Sequence, residues 1–106
     1  MLFNIVGFWF CIKDVIIGIV LFLYFIVDDS LFDSNVANHG GGAIHCQADD
    51  AKIHSSNFTK NNATNSADGY GGAVYIVGNN AVVDYSRFDD NHANVYGGAL
   101  AIDGTG

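Results

Sequence analysis

The chain has 106 residues, of which 50% are hydrophobic and 14% charged, and its formal net charge is −7. A chain of this length forms at most one small domain. Its 4 Lys and Arg residues stand against 11 Asp, which argues against a nucleic-acid partner because phosphates require clustered cations. Residues 28–106 carry all of the net charge, and their Gly- and Asn-rich composition excludes a helical bundle.

Residues 1–24 form an apolar N-terminal segment, which we expect to be helical and to serve as a signal peptide, an anchor or a cap. The apolar run over residues 15–27 is 13 residues long. That length fits a signal-peptide core better than a bilayer span, which needs about 20 residues. A membrane anchor over residues 2–24 stays open, although Lys13 and Asp14 near its centre would be costly. The alternative is that the segment caps the apolar end of the domain that follows.

The rest of the chain, residues 25–106, consists of three repeats. The repeat units are residues 25–50, 51–80 and 81–106, with lengths of 26, 30 and 26 residues. The four extra residues of the middle unit all fall between Ala63 and Gly71. One part of each unit is therefore constant in length, and one loop varies.

Aligning the units produces columns of identical or similar residues. The identical columns are Phe32, Phe58 and Phe88; Asn35, Asn61 and Asn91; Ser30, Ser56 and Ser86; Ala37, Ala63 and Ala93; and the triplets Gly41-Gly42-Ala43, Gly71-Gly72-Ala73 and Gly97-Gly98-Ala99. The aliphatic columns include Val27, Ile53 and Val83, and a further apolar column holds Cys46, Ile76 and Ile102. Apolar and polar positions alternate within each unit, which is typical of strands with one buried face.

A single unit cannot bury the apolar face of its own strands, so the units must stack. We predict up to three strands of four to six residues in each unit, and a right-handed parallel β-helix of about three turns. Stacking would place like residues above like, as a phenylalanine stack and an asparagine ladder. The double glycines suit sharp corners, and we expect asparagine to adopt left-handed geometry at another corner. An antiparallel sandwich is the rival fold, but it does not explain the repeated columns.

Two tetrapeptides carry a resemblance to a known family. Phe-X-X-Asn and Gly-Gly-Ala-(Ile/Leu/Val) each recur three times in fixed order over residues 25–106, and the pair resembles the repeats of chlamydial polymorphic outer membrane proteins. Adhesin-like surface proteins of methanogenic archaea are similar too. The resemblance implies a surface-displayed or secreted β-helix that binds a receptor or glycan on a host or neighbouring cell. In that family the β-helix is an autotransporter passenger, whereas this sequence has three units and no translocator barrel after Gly106, as expected of a fragment.

The aspartate pairs and Cys46 could in principle bind a metal ion, but we interpret each of them as structural. The aspartate pairs lack an ordered calcium motif, and we interpret them as solvated turn residues. Cys46 is expected to be a buried, inert thiol, and a disulfide with Cys11 is disfavoured because it would join the apolar segment to the polar body. We therefore predict no catalytic residue, no metal site and no cofactor, and assign the repeated motif residues to structure.

Two other functions stay open from the sequence. A carbohydrate-binding or polysaccharide-cleaving β-helix would need clustered cations or paired carboxylates, and the candidates are Lys52, Lys60, Arg87 and the aligned Asp28, His54 and Asp84. Aromatic side chains that line an outer groove would favour carbohydrate, and the candidates are Tyr70, Tyr75, Tyr85 and Tyr96. Scattered tyrosines would favour protein adhesion or the second alternative, a structural stalk.

Overall fold

The computed structural model of the protein describes residues 4–5, 9–12 and 25–106, with side chains over residues 25–106. All regular structure in this part of the chain is β-strand, in 14 short strands. The strands are β1 (Asn4–Ile5), β2 (Trp9–Ile12), β3 (Ile26–Asp28), β4 (Leu31–Asp33), β5 (Val36–Ala37), β6 (Ile44–Gln47), β7 (Lys52–His54), β8 (Asn57–Thr59), β9 (Asn62–Ala63), β10 (Val74–Val77), β11 (Val82–Asp84), β12 (Arg87–Asp89), β13 (His92–Ala93) and β14 (Leu100–Asp103).

Each repeat unit forms one turn of a parallel coil. The strands form four parallel sheets, in the orders β1-β4-β8-β12, β14-β10-β6-β2, β11-β7-β3 and β13-β9-β5. The register aligns the predicted columns, with Phe58 opposite both Phe32 and Phe88. The predicted parallel β-helix of about three turns is confirmed, while its right hand stays a prediction. Each unit holds four strands of two to four residues rather than up to three longer ones, because a corner interrupts the chain every few residues.

The core lies inside the coil and is built from the inward columns. Its most deeply buried large side chains are Phe58, Ile44, Ile53, Ile76 and Val74, each 0% exposed. In β6 and β10 buried positions alternate with more exposed ones, as the strand period requires. The outward positions of each turn therefore carry the side chains that are available for contact with other molecules.

Residues with positive φ recur at four positions of the repeat unit, and one of these positions is the glycine triplet. The first glycine of each triplet has positive φ, at 70° for Gly41, 64° for Gly71 and 65° for Gly97. The second permits close approach of adjacent turns, since a Cβ on Gly42 would collide with the carbonyl oxygen of Gly72.

The repeated asparagines Asn35, Asn61 and Asn91 do not adopt the left-handed geometry that was expected at their corner. The residue before each asparagine adopts it instead, namely Ser34, Lys60 and Asp90, with φ of 60°, 55° and 60°. The physical reason is that each asparagine side chain is held between turns by hydrogen bonds. The preceding side chain is exposed, so that residue can make the turn without losing packing.

Part of the N-terminal segment adds strands to the coil. β1 pairs with β4, and β2 pairs with β6, both in parallel. The predicted helix is therefore not present at residues 4–5 and 9–12, and its remainder lies outside the described residues. Among the residues that the structure describes, no helix is long and apolar enough to cross a membrane.

Candidate functional site

The asparagine column forms a continuous hydrogen-bonded ladder between turns. The side-chain Oδ1 of Asn61 accepts from the backbone N–H and from Nδ2 of Asn35, both at 2.9 Å. Asn91 accepts in the same way from Asn61, at 2.9 and 3.0 Å. Nδ2 of Asn61 also donates to the carbonyl oxygen of Phe32 at 3.1 Å, so each amide closes the corner below it. Asn35 and Asn61 are 1% exposed, and this column serves the fold rather than a ligand.

The phenylalanine and serine columns also join adjacent turns, the first through ring stacking and the second through hydrogen bonds. The ring centroids of Phe58 lie 4.9 Å from Phe32 and 4.8 Å from Phe88, with planes within 6° of parallel. Oγ of Ser56 accepts from the backbone N–H of Ser30 at 3.2 Å and donates to the carbonyl oxygen of His54 at 2.9 Å. The repeated motif residues thus face their own copies in adjacent turns.

The column of Asp28, His54 and Asp84 lies on the outer face of the sheet β11-β7-β3. Nδ1 of His54 lies 2.5 Å from Oδ1 of Asp84, and their side chains are 39% and 43% exposed. Tyr85 contacts the His54 ring edge-on at 5.3 Å. Within residues 25–106, no group of three His, Cys, Asp or Glu side chains could hold a metal ion.

Three of the four candidate tyrosines meet on another face, and we call Tyr70, Tyr75 and Tyr96 the tyrosine cluster. Tyr70 and Tyr96 are stacked, with centroids 5.8 Å apart and planes 7° from parallel. Tyr75 meets Tyr70 edge-on at 5.4 Å, and His45 extends the row at 5.0 Å from Tyr75. Tyr85, which contacts His54 instead, is not part of this cluster.

A polar pair lies beside the tyrosine cluster. Nδ1 of His39 is 3.0 Å from Oδ2 of Asp68, and both side chains are about half exposed or more. Asp68 belongs to the longer loop of the middle unit, so the extra residues of that unit supply one member of the pair. The loop is ordered by its own hydrogen bonds, since Oδ1 of Asn65 accepts from the backbone N–H of Ala67 at 2.8 Å.

Burial changes the ionisation of two groups in this region. It lowers the pKa of His45 below the ordinary 6.5, and nearby His39 lowers it further, while Asp68 opposes the change. Burial also raises the pKa of Tyr75 above 10.0, helped by the negative charges of Asp103 and Asp68. At neutral pH His45 is therefore largely uncharged, and the Tyr75 hydroxyl keeps its proton and can donate a hydrogen bond.

Asp33 belongs to a different face of the coil. A hydrogen bond from Oγ1 of Thr59, 2.7 Å long, lowers the pKa of this carboxyl; desolvation opposes the change, while Ser34 and Lys60 add to it. This carboxylate links two adjacent turns on the outer side of the sheet. Within residues 25–106, the side-chain hydrogen bonds of Asp33 join it to Ser34 and Thr59 and not to the tyrosine cluster.

Cys46 departs from the sequence-based expectation. It is 0% exposed, as its inward column requires, but it is disulfide-bonded and so is no free thiol. The backbone register of β2 on β6 sets Cys11, the other cysteine of the chain, directly opposite Cys46. Adjacent parallel strands lie about 4.8 Å apart, which suits the Cα spacing of a disulfide.

These features define a parallel β-helix repeat protein, in which like side chains bind adjacent turns together and the outward side chains vary. Residues 29–47 match the family model of the Chlamydia polymorphic membrane protein (Chlamydia_PMP) repeat. The matched stretch includes Phe32, Asn35 and the Gly41-Gly42-Ala43 triplet, so the resemblance drawn from these motifs is confirmed. Comparisons with curated proteins and with solved structures found no match to the chain.

Proposed function

We propose that the chain is an adhesin-type binding module, displayed at a cell surface or secreted, and that it acts without catalysis. The observation that carries this proposal is the Chlamydia polymorphic membrane protein repeat at residues 29–47. That family is associated with the outer membrane and the cell surface. The same Phe-X-X-Asn and Gly-Gly-Ala motifs occur in all three turns, which extends the likeness beyond the matched stretch.

The arrangement of side chains supports a binding role. Inward and inter-turn positions repeat, whereas the outward column of β6, β10 and β14 holds His45, Tyr75 and Ala101, three different residues. A rigid scaffold that presents varied side chains suits recognition of a partner. The disulfide at Cys46 suits an oxidising compartment such as the cell exterior.

The charge distribution favours binding over polysaccharide cleavage. Lys52, Lys60 and Arg87 are all exposed, and Arg87 pairs with Asp89 at 3.6 Å. Cleavage of an acidic polysaccharide needs cations gathered where charge develops on the substrate. The enzyme alternative rests on the His54–Asp84 pair, so substitutions of these two residues test it.

The test is adhesion of the full chain displayed in many copies. The 106-residue chain, tagged after Gly106, is immobilised densely on beads, and the beads are incubated with cultured animal cells and with bacterial cells. Each short array contributes weakly, so dense display should raise binding about 100-fold or more over the soluble monomer. Beads that carry the tag alone are the control.

Two outcomes would contradict the proposal. One is folded protein on dense beads that binds no cell type above the tag control. The other is turnover of a polysaccharide by the soluble chain that His54→Ala or Asp84→Asn abolishes, which would establish the enzyme instead.

A further inference from the structure

The tyrosine cluster follows the repeat only in part. Tyr70 and Tyr96 precede the glycine triplets of the second and third units, where the first unit has Gly40. Tyr75 lies between His45 and Ala101 in its own column. The edge-on contact of Tyr75 with Tyr70 joins two different columns on the outer face, and stacking of like residues does not explain it.

The aromatic row is accessible and crosses three turns. His45 belongs to the first turn, Tyr75 and Tyr70 to the second and Tyr96 to the third, with successive ring contacts of 5.0, 5.4 and 5.8 Å. Tyr96 is 71% exposed, whereas the phenylalanine stack has its middle ring at 0%. The ring of Tyr96 is therefore accessible to another molecule.

The neighbouring backbone and loop shape this surface. A Cβ on Gly40 would collide with the Tyr75 ring, so glycine there leaves room for the ring to lie against the coil. The longer middle loop brings Asp68 to His39 at the edge of the cluster. The protein thus places rigid rings beside exposed groups that can donate and accept hydrogen bonds.

Rings with adjacent polar groups fit a particular ligand chemistry. The C–H face of a pyranose is weakly positive and packs against the negative face of an aromatic ring, while its hydroxyls need donors and acceptors at the rim. Tyrosine offers such contact area at little entropic cost. Asp68 and Asp103 make the local field negative, as the causes of the raised Tyr75 pKa show, and this field disfavours sialylated or sulfated sugars.

We propose that the tyrosine cluster, with His39 and Asp68 at its rim, is a binding site for a neutral glycan. Tyr96 supplies the open ring face, Tyr70 supports it from behind, and Tyr75 with the polar pair lines the side. This inference rests on the proposed function and names the chemical class of the partner.

The experiment measures binding of the bead-displayed full chain to glycan polymers. The probes are polyacrylamide conjugates bearing glucose, galactose, mannose or N-acetylglucosamine, with sialylated and sulfated conjugates as the acidic comparison. Tyr96→Ala should weaken binding to the neutral conjugates by about tenfold or more, since exposed tyrosines are frequent hot spots. Tyr96→Phe should retain most of the binding because it keeps the ring. Tyr85→Ala is the matched control, since Tyr85 is 84% exposed and contacts His54 instead.

Cell adhesion separates failure of this inference from failure of the proposed function. Neutral-glycan binding that falls with Tyr96→Ala and survives Tyr85→Ala, together with adhesion that is lost after periodate treatment of the cells, supports the site. Binding to no neutral conjugate, with adhesion that resists periodate but is lost after protease treatment of the cells, overturns the glycan while leaving the adhesin proposal intact. Preference for the acidic conjugates overturns it as well.

Discussion

At the scale of single residues, the stacked columns carry the stability of the coil. Phe58 is 0% exposed and lies between Phe32 and Phe88 at centroid distances of 4.9 and 4.8 Å. Phe58→Ala removes both ring contacts and leaves a cavity in the middle turn, so we expect a loss of about 3–5 kcal/mol in the free energy of unfolding. Urea denaturation of the full chain, followed by circular dichroism, measures this loss.

The control for this prediction is Tyr85→Ala, because Tyr85 is 84% exposed and lies outside the core. It should change the free energy of unfolding by no more than about 0.5 kcal/mol. Tyr70 is half-buried between two tyrosines and is therefore unsuitable as a neutral site. Equal, small effects of Phe58→Ala and Tyr85→Ala would show that the phenylalanine column does not hold the turns together.

A second residue-scale prediction concerns His45 and pH. Burial lowers the pKa of His45 in the folded protein below the ordinary 6.5, so the unfolded chain binds the proton first as the pH falls. Between the ordinary pKa of 6.5 and the lower pKa of the folded protein, the unfolded state binds more protons than the folded state. The free energy of unfolding therefore decreases as the pH falls from 7 through this range. His45→Gln should flatten this part of the stability profile. Identical slopes for His45→Gln and the parent would refute the assignment.

At the scale of the strands, the sequence predicts the columns but not the number of strands. Identical residues at a fixed period must lie over one another in a stack, so the register of Phe32, Phe58 and Phe88 follows directly from the alignment. Most of the strands have only two or three residues, too few for the alternation to separate one strand from the next, and each unit holds four strands where at most three were expected.

The sequence likewise predicts one kind of corner and not another. The glycine triplets predict corners because glycine alone combines positive φ with close backbone approach. The left-handed residues before the asparagines are Ser34, Lys60 and Asp90, which share no side-chain type. No residue preference therefore marks that corner, and only the backbone reveals it.

The candidate site is even less visible in the sequence. Tyr70 and Tyr75 belong to different columns, and their contact depends on how the chain leaves the glycine corner. The space for the Tyr75 ring comes from Gly40, a residue of the preceding turn that aligns with Tyr70 and Tyr96 and not with Tyr75. The four tyrosines can be named in advance, but which three meet is a property of the folded coil.

At the scale of the whole molecule, stability depends on how many turns stack. β11, β12, β13 and β14 are each the last strand of their sheet within the described residues, and Phe88 is only half-buried. Leu100 is partly exposed and Ile102 is 46% exposed, although their counterparts in the middle turn are 0% exposed. Unpaired sheet edges and exposed apolar side chains favour association between molecules. The described array is therefore expected to have marginal stability and to aggregate.

This reasoning predicts that one more turn stabilises the array. A second copy of residues 81–106 appended after Gly106 continues the register, because Gly106 has φ of 87° and aligns with Asp50 and Asn80, at 60° and 58°. The new turn would cover Phe88 and the apolar ends of the third turn. Burying a large apolar side chain contributes about 1.5–3 kcal/mol, and each kcal/mol raises the Tm by about 4–8 °C for a domain of this size. Thermal unfolding by circular dichroism measures the gain, with a scrambled version of the same 26 residues as the control. If the ordered and scrambled extensions gave the same Tm, stacking of like residues would not be the source of stability, and the repeated columns would need another explanation.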